Sequence, residues 1–322
     1  MPRIDLPPPF AHAPFATRVA EASGVGRGRL RGPDLVTPHR GVRVSAAARA
    51  DQGTVGRARL LLPVMGDSWA FSHVTALGIW GLPLPLDVDR HGELHVSTGT
   101  GRGPRRSGVV AHRTTAGSAV VVDGLRVVDP LTAWVQSGTL LPLDDLVAVG
   151  DALCGDWSPH DSARRQARAA LAVRVQRAAG LRGLTRVRAA LDLVRAGVKS
   201  PKETELRLLL QRAGLPEFEL NVETFDEAGR YLGKPDLRHL ASRVAVEYEG
   251  DEHRSDPARY RRDITRRERF ADAGWRTIRV TQADLHGRAA RELVGRVRRC
   301  LGRAGPAERS AMVPPASTGD PS

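Results

Sequence analysis

Asp236, Glu247 and Glu249 are the residues whose types and spacing can do chemistry. In Val244-Ala245-Val246-Glu247-Tyr248-Glu249-Gly250, Val244, Val246 and Tyr248 alternate with Ala245, Glu247 and Glu249, the period-two pattern of a strand. Glu247 and Glu249 therefore share one face, with Cα atoms about 7 Å apart. Like charges so placed repel unless a cation lies between them. Asp236, in Lys234-Pro235-Asp236-Leu237 at the end of a neighbouring predicted strand, offers a third oxygen. Three hard oxygen donors suit Mg2+ or Mn2+ rather than zinc.

The flanking sequence predicts the elements that must position these groups. Ser200-Pro201-Lys202-Glu203 opens a helix carrying Leu206, Leu209, Leu210 and Ala213, ended by Gly214 and Pro216. Ser at the cap and Glu three residues later form a capping box, which gives Glu203 a structural role independent of chemistry. Residues 220–225 read as a strand, 226–229 as a turn and 231–237 as the returning strand. The carboxylate strand follows. Ser255-Asp256-Pro257 starts a helix over 258–273, and 275–280 is a further strand before a final helix over 288–301. The order α-β-β-β-α-β-α predicts an α/β sandwich with a mixed central sheet over 200–302, followed by a disordered tail over 303–322.

Composition bounds the partners. The chain of 322 residues has room for two domains, and its net charge of +13 favours a polyanion, with nucleic acid ahead of an anionic membrane. Only Lys199, Lys202 and Lys234 can serve as a catalytic lysine. Cys154 and Cys300 make neither a disulfide framework nor a zinc cluster, which points to a reducing cytoplasm. No apolar run long enough for a bilayer and no signal-peptide pattern is seen, so a soluble protein is expected.

Residues 1–16, with Pro7-Pro8-Pro9, read as a disordered arm. A short helical pattern around Val19, Ala20 and Ala22 and a strand at 41–44 fit either a reduced winged-helix unit or a plain helix-plus-strand substructure. Between 60 and 156 the pattern is mixed α+β. Residues 72–77 form a helix ended by Trp80-Gly81-Leu82-Pro83, 91–96 and 109–113 are strands, and 125–153 give a strand followed by helices. His91, His95 and His112 invite a metal reading, but no cysteine or regular ligand spacing accompanies them. Residues 157–199 read as a basic helical connector. Over 161–199 ten Arg or Lys face only Asp161 and Asp192. Arg164, Arg165, Arg168 and Arg174 are therefore candidate phosphate contacts, with a solvated face as the alternative.

Two resemblances sharpen these expectations. Ser72-His73-x-Thr75-Ala76, Trp80-Gly81-Leu82-Pro83, His112-Arg113 and Asp129-Pro130-Leu131-Thr132 before Asp151-Ala152-Leu153 are similar to AbiEi-type antitoxins of actinobacteria. These are the transcriptional-regulator partners of type IV toxin–antitoxin systems. The similarity covers about residues 17–156 and implies DNA binding or regulation; the expected partners are DNA and either a cognate toxin or a repair protein.

Ser200-Pro201-x-Glu203-x-x-Leu206-Arg207, Gly214-Leu215-Pro216, Asp236-Leu237, Val246-Glu247-Tyr248-Glu249-Gly250-x-x-His253, Asp263-x-x-Arg266 and Gly274-Trp275-x-x-x-Arg279 resemble another family. It is a domain-of-unknown-function family of the restriction-endonuclease-like superfamily, related to very-short-patch mismatch-repair endonucleases and built on the PD-(D/E)xK core. The resemblance implies Mg2+-dependent phosphodiester hydrolysis, with Asp236 and Glu247 as metal carboxylates and Glu203 as the helical acidic residue. Where the superfamily places its lysine, two residues after the second carboxylate, this chain has Glu249. The related repair enzymes rely on histidine, which gives His253 that role. Lys234, two residues before Asp236, is the other candidate. Arg266 either contacts phosphate or pairs with Asp263. Two functions follow: a DNA endonuclease of repair or defence, or a DNA-binding toxin–antitoxin-type regulator whose nuclease fold is silent. A protein-binding scaffold is the third.

Overall fold

A computed structural model describes residues 5–48, 53–99, 103, 105–113, 119–250 and 257–302, with the side chains of Ala48 and 257–264 left aside. The chain is mixed α/β and divides into two compact units, Met1–Ala196 and Gly197–Ser322. Among the described residues no helix is long and apolar enough to cross a membrane.

The first unit begins with helix α1 (Pro8–Ala11), strand β1 (Phe15–Ala16), α2 (Thr17–Ala22), β2 (Leu35–Val36) and β3 (Val42–Ser45). β1 and β2 pair antiparallel with the two edges of β3. This corrects the reading of 1–16 as a disordered arm over its described part. Phe10 is buried, and its ring lies 5.0 Å from that of Phe15 in a small apolar cluster with Ala20, Val25 and Leu30. Proline fixes φ at a value a helix accepts in its first turn, so the Pro run starts α1 rather than preventing it.

Next come α3 (Thr54–Leu61), β4 (Ala70–Phe71), α4 (His73–Ile79), α5 (Leu86–His91), β5 (Leu94–Ser97), β6 (Val109–His112), β7 (Ala119–Val122) and β8 (Leu125–Val128). The five strands form one sheet in the order β6-β5-β4-β8-β7, with both parallel and antiparallel neighbours. Helices α6 (Pro130–Gln136), α7 (Leu143–Cys154), α8 (Arg168–Arg177) and α9 (Leu184–Leu193) complete the unit. Their apolar spacing buries Trp134, Val147, Leu153, Leu171 and Val187. The predicted connector thus has a different place. α8 packs on α6 and α9 on α7, so both helices belong to the first core.

The second unit runs α10 (Pro201–Arg212), β9 (Glu219–Leu220), β10 (Thr224–Phe225), β11 (Tyr231–Gly233), β12 (Leu237–His239), β13 (Val244–Tyr248), α11 (Pro257–Asp272), β14 (Arg276–Val280) and α12 (Gly287–Leu301). Its four-stranded sheet has the order β14-β13-β12-β9, parallel between β13 and β14 and antiparallel elsewhere. Leu206 and Leu210 of α10 and Leu293 and Val297 of α12 pack with Leu237, Val244, Val246, Ile278 and Val280. On the other face Phe270 of α11 packs with Leu232, Ala245 and Trp275. The alternation read in 244–249 is therefore the alternation of two covered faces. Each of the two strands expected before it is broken in two. Asn221, at φ +50°, separates β9 from β10, and Gly233 and Pro235 separate β11 from β12. β10 and β11 form a hairpin of their own.

Candidate functional site

β12 and β13 position the carboxylates. Their register pairs Leu237 with Val246, and one step further along it sets Asp236 opposite Glu247. Directly opposed residues of an antiparallel pair point to the same face, with Cβ atoms about 5 Å apart. That is the face covered by α11, because Leu237 and Val246 face α10 and α12. Asp236 is fixed from both sides. Its carbonyl accepts the Asn221 amide at 2.9 Å, and its Oδ2 accepts the Tyr248 amide at 2.8 Å. Among the described residues Asp236 Oδ1 accepts no hydrogen bond.

Glu203, in the first turn of α10, lies beside this pair. Ser200 Oγ accepts its amide at 3.2 Å, the forward half of the expected capping box. The return bond differs from the expected one. Glu203 Oε2 accepts the Lys199 amide at 2.9 Å and Asn221 Nδ2 at 2.6 Å, and Oε1 accepts Ser200 Oγ at 3.1 Å. Both oxygens are thus occupied, and the carboxylate ties α10 to the turn after β9. Burial, and then the charge of Asp236, pushes the Glu203 carboxyl above its ordinary range, against these three donors. Burial likewise raises Asp236, against the Tyr248 amide and the charges of Arg266 and Lys199. Two desolvated carboxyls whose charges repel are an arrangement that a cation would relieve.

Glu203 is expected to act on stability first. Glu203→Ala leaves the buried Asn221 Nδ2 and the half-buried Lys199 amide without an acceptor, a loss of about 1–3 kcal/mol. Glu203→Gln keeps one acceptor oxygen and is expected to fall between Ala and wild type. Thermal melts of the three proteins check the order, and a Gln variant that melts like wild type while losing cleavage would instead give Glu203 a direct chemical role.

The other sequence-derived candidates are distributed differently. Glu247 pairs with Arg266 of α11, and Glu249 pairs with Arg279 of β14. Gly233, at φ +149°, makes room for the first pair, since a Cβ there would lie 2.5 Å from Arg266 Nε. Arg266 therefore serves Glu247, and Glu249 does not join Asp236 and Glu247 as a third open ligand. Asp263 and His253 lie outside the residues described for side chains. Lys234 is exposed, sits outside both strands because Gly233 and Pro235 flank it, and makes no ion pair among the described residues. The lysine whose charge reaches Asp236 is Lys199. The lysine count admitted it, but proximity in sequence pointed to Lys234. Among the described residues no group of three or more His, Cys, Asp or Glu side chains is set to hold a metal.

The four candidate phosphate-contacting arginines of the first unit are engaged within it. Arg164 pairs with Asp161 and Arg165 with Asp156. Arg168 donates to the Leu191 carbonyl at 2.8 and 3.2 Å, and Arg174 donates to Thr132 Oγ1.

The histidines gather in part. His91 ends α5 and is exposed, whereas His95 and His112 are joined by His73, which the motif set contains but which sequence spacing did not group with them. The His73 and His112 rings stack at 3.6 Å, and His95 Nδ1 lies 2.8 Å from His112 Nε2. His73 adopts φ +53° at the start of α4, where the Gln136 side chain accepts its amide at 3.3 Å. Burial first, and then the neighbouring imidazoles, lowers His73 to about 2 and His95 to about 4; burial also lowers His112. Two parallel rings at stacking distance cannot both present an in-plane nitrogen lone pair to one ion, so this is a neutral imidazole stack.

Comparison with known proteins adds kinship without an activity. The chain is 31% identical over 125 residues to two uncharacterized proteins of Mycobacterium tuberculosis, one each from strains CDC 1551 / Oshkosh and ATCC 25618 / H37Rv. The match covers 39% of this chain and 45% of each relative, so the chain spans less than half the length of the curated relatives it matches. No family model matches, and no solved structure matches.

Proposed function

We propose that the second unit is a divalent-metal-dependent DNA endonuclease with a restriction-endonuclease-like fold. The observation that carries the reading is the place of Asp236, just before β12 and hydrogen-bonded to the Tyr248 amide of β13, next to Glu247 of that strand and beside a second desolvated carboxyl, Glu203. Asp236 Oδ1 and the Glu247 carboxylate are the oxygens that would hold Mg2+ or Mn2+. When bound, such an ion activates a water molecule and polarises the scissile phosphate. Glu203 keeps the Lys199 backbone and Asn221 in place, and Lys199 brings a positive charge to the phosphate side of Asp236. Arg266 offsets the charge of Glu247. His253 carries the proton transfer that the family resemblance assigns to it. In the reaction, water adds to phosphorus, the phosphorus–oxygen bond of the leaving strand breaks, and the departing oxygen takes up a proton.

The test is incubation of the purified chain with plasmid, mismatched duplex and single-stranded DNA in Mg2+ and in Mn2+. Nicking or linearisation that needs the metal is expected; intact DNA in every arm overturns the proposal. A second reading has its own support. Arg266 and Arg279 neutralise two of the three strand and turn carboxylates, as expected of a nuclease fold retained for binding. In that reading the protein is a DNA-binding regulator of toxin–antitoxin type, partnered by a cognate toxin. Metal-independent DNA binding without cleavage would favour it.

A further inference from the structure

α12 gains from Arg298 and Arg299 in its last turn and from the Arg288–Glu292 pair, but its middle and first turn run against its own helical interest. It carries Arg288, Arg291, Arg296, Arg298 and Arg299 against the single acid Glu292. Its first turn holds no acidic residue, although negative charge is what the positive end of a helix dipole favours. Arg288 and Arg291, and again Arg296 and Arg299, are like charges three residues apart, which weakens an isolated helix. Gly295 sits in the helix interior, where glycine is unfavourable. Packing does not demand it, since a Cβ there would meet only the Arg299 guanidinium at 3.4 Å, an ordinary contact. Local rules broken together on one face point to function.

Those residues line one open groove: Arg288, Arg291, Glu292, Gly295, Arg296 and Arg299 surround it, while Ala290, Leu293 and Val297 on the opposite side of the helix are buried. The acids beside the groove are already taken. Arg288 holds Glu292 at 2.7 Å, and Arg296 reaches Asp284 at 3.2 Å. Arg291 and Arg299, one turn to either side of Gly295, have no carboxylate among the described residues.

We infer that this groove is a phosphate-backbone docking surface for DNA, with Arg291 and Arg299 as its principal contacts and Gly295 as its floor. The choice of DNA over another polyanion rests on the nuclease reading. Tyr248 Oη donates to Gln282 Oε1 at 3.3 Å, which ties the entrance of α12 to the end of β13 that carries Glu247. From there Arg288 to Arg299 extends about 16 Å along the helix at its 1.5 Å rise. That length matches about five nucleotide steps of one strand. The groove lies on the exposed side of α12, and α12 covers the sheet face opposite to Asp236 and Glu247, so it would take a backbone segment away from the scissile phosphate.

The test uses the full chain with EDTA present, so that no cleavage interferes, and a labelled 20-base-pair DNA duplex of arbitrary sequence. Arg291→Glu/Arg299→Glu is compared with Arg177→Glu/Arg188→Glu, which makes the same change in net charge on exposed positions of the first unit. The groove variant is expected to bind at least tenfold more weakly, with the slope of log affinity against log salt reduced by about two. The control is expected to bind like wild type. Gly295→Glu, which adds a carboxylate without removing an arginine, is expected to weaken binding as well. Equal losses in groove and control variants would show bulk charge attraction and overturn the inference, as would a groove variant that binds like wild type. Tighter binding of an RNA duplex of equal length would overturn the assignment to DNA. A Mn2+-induced thermal shift of the groove variant reports separately on the carboxylates. A shift retained with DNA binding lost supports the groove, whereas a shift missing from wild type counts against the nuclease reading alone.

Discussion

Without metal, Asp236→Asn is expected to melt at or above wild type, and with Mn2+ it is expected to show neither cleavage nor a thermal shift. Burial raises the Asp236 carboxyl, so its ionised form is the one that the fold disfavours. Stability linked to this group is present at low pH and declines as pH rises from the ordinary carboxylate value through the raised folded value. At pH 7 wild type bears that cost. Asparagine does not, and its amide oxygen can still accept the Tyr248 amide. Wild type should recover the loss when Mn2+ binds between Asp236 and Glu247. At a hundredfold excess over its dissociation constant the ion contributes about 2.7 kcal/mol, roughly 10 °C in Tm for a unit of about 100 residues. A purely structural carboxylate gives the reverse pattern: Asp236→Asn melts lower, and Mn2+ changes neither protein. A Mn2+ titration of both proteins by thermal shift, run beside the plasmid assay, separates the two.

Acid is expected to unfold the first unit well above the pH at which carboxylates titrate. His73, His95 and His112 are held neutral in the fold, all with lowered proton affinity. In the unfolded chain each titrates near 6.5, so below that pH the unfolded state binds more protons and stability falls. For His95, with its folded value at about 4, the loss across that window is roughly 3 kcal/mol. His73 adds to it over a longer range. Asp236 and Glu203 work in the opposite sense on acidification, but they sit in the second unit. Melting curves from pH 7 to pH 4.5 should therefore show a transition that moves down steeply, and His95→Gln should flatten its pH dependence. A Tm for the first unit that holds constant across this window would show that the stack is not kept neutral by the fold.

The parts of this architecture that the sequence made legible follow from local periodicity. Val244, Val246 and Tyr248 against Ala245, Glu247 and Glu249 set the two faces of β13, and Ser200-Pro201 set the start of α10. The breaks at Asn221 and Gly233 were not legible, because nothing local forces a non-glycine residue into positive φ or says which sheet a strand joins. Partners were the harder part. Arg266 and Arg279 meet Glu247 and Glu249 only once α11 and β14 are docked, and Lys199 reaches Asp236 from 37 positions away in the chain. His73 escaped notice beside His95 and His112 because the parallel and antiparallel pairings of a five-stranded sheet, rather than sequence spacing, bring the three rings together. Arg164, Arg165, Arg168 and Arg174 looked like a free cationic surface because a sequence shows charge but not the carboxylates, carbonyl and hydroxyl that absorb it.

The parallel pairing of β13 with β14 also dictates when the site comes into being. A parallel neighbour needs a crossover, here the stretch containing α11, so β13 gains its second partner only after about thirty further residues have been made. Such long-range closure is slow relative to hairpin formation. During folding β9, β12 and β13 can pair first, bringing Asp236 and Glu247 together before α11 and β14, which carry Arg266 and Arg279, have docked. The folding chain thus passes through an interval in which its carboxylates stand together without their guanidinium partners. In that interval the repulsion between the two carboxyls is least offset, and the later docking of α11 and β14 supplies the guanidinium groups of Arg266 and Arg279 to Glu247 and Glu249.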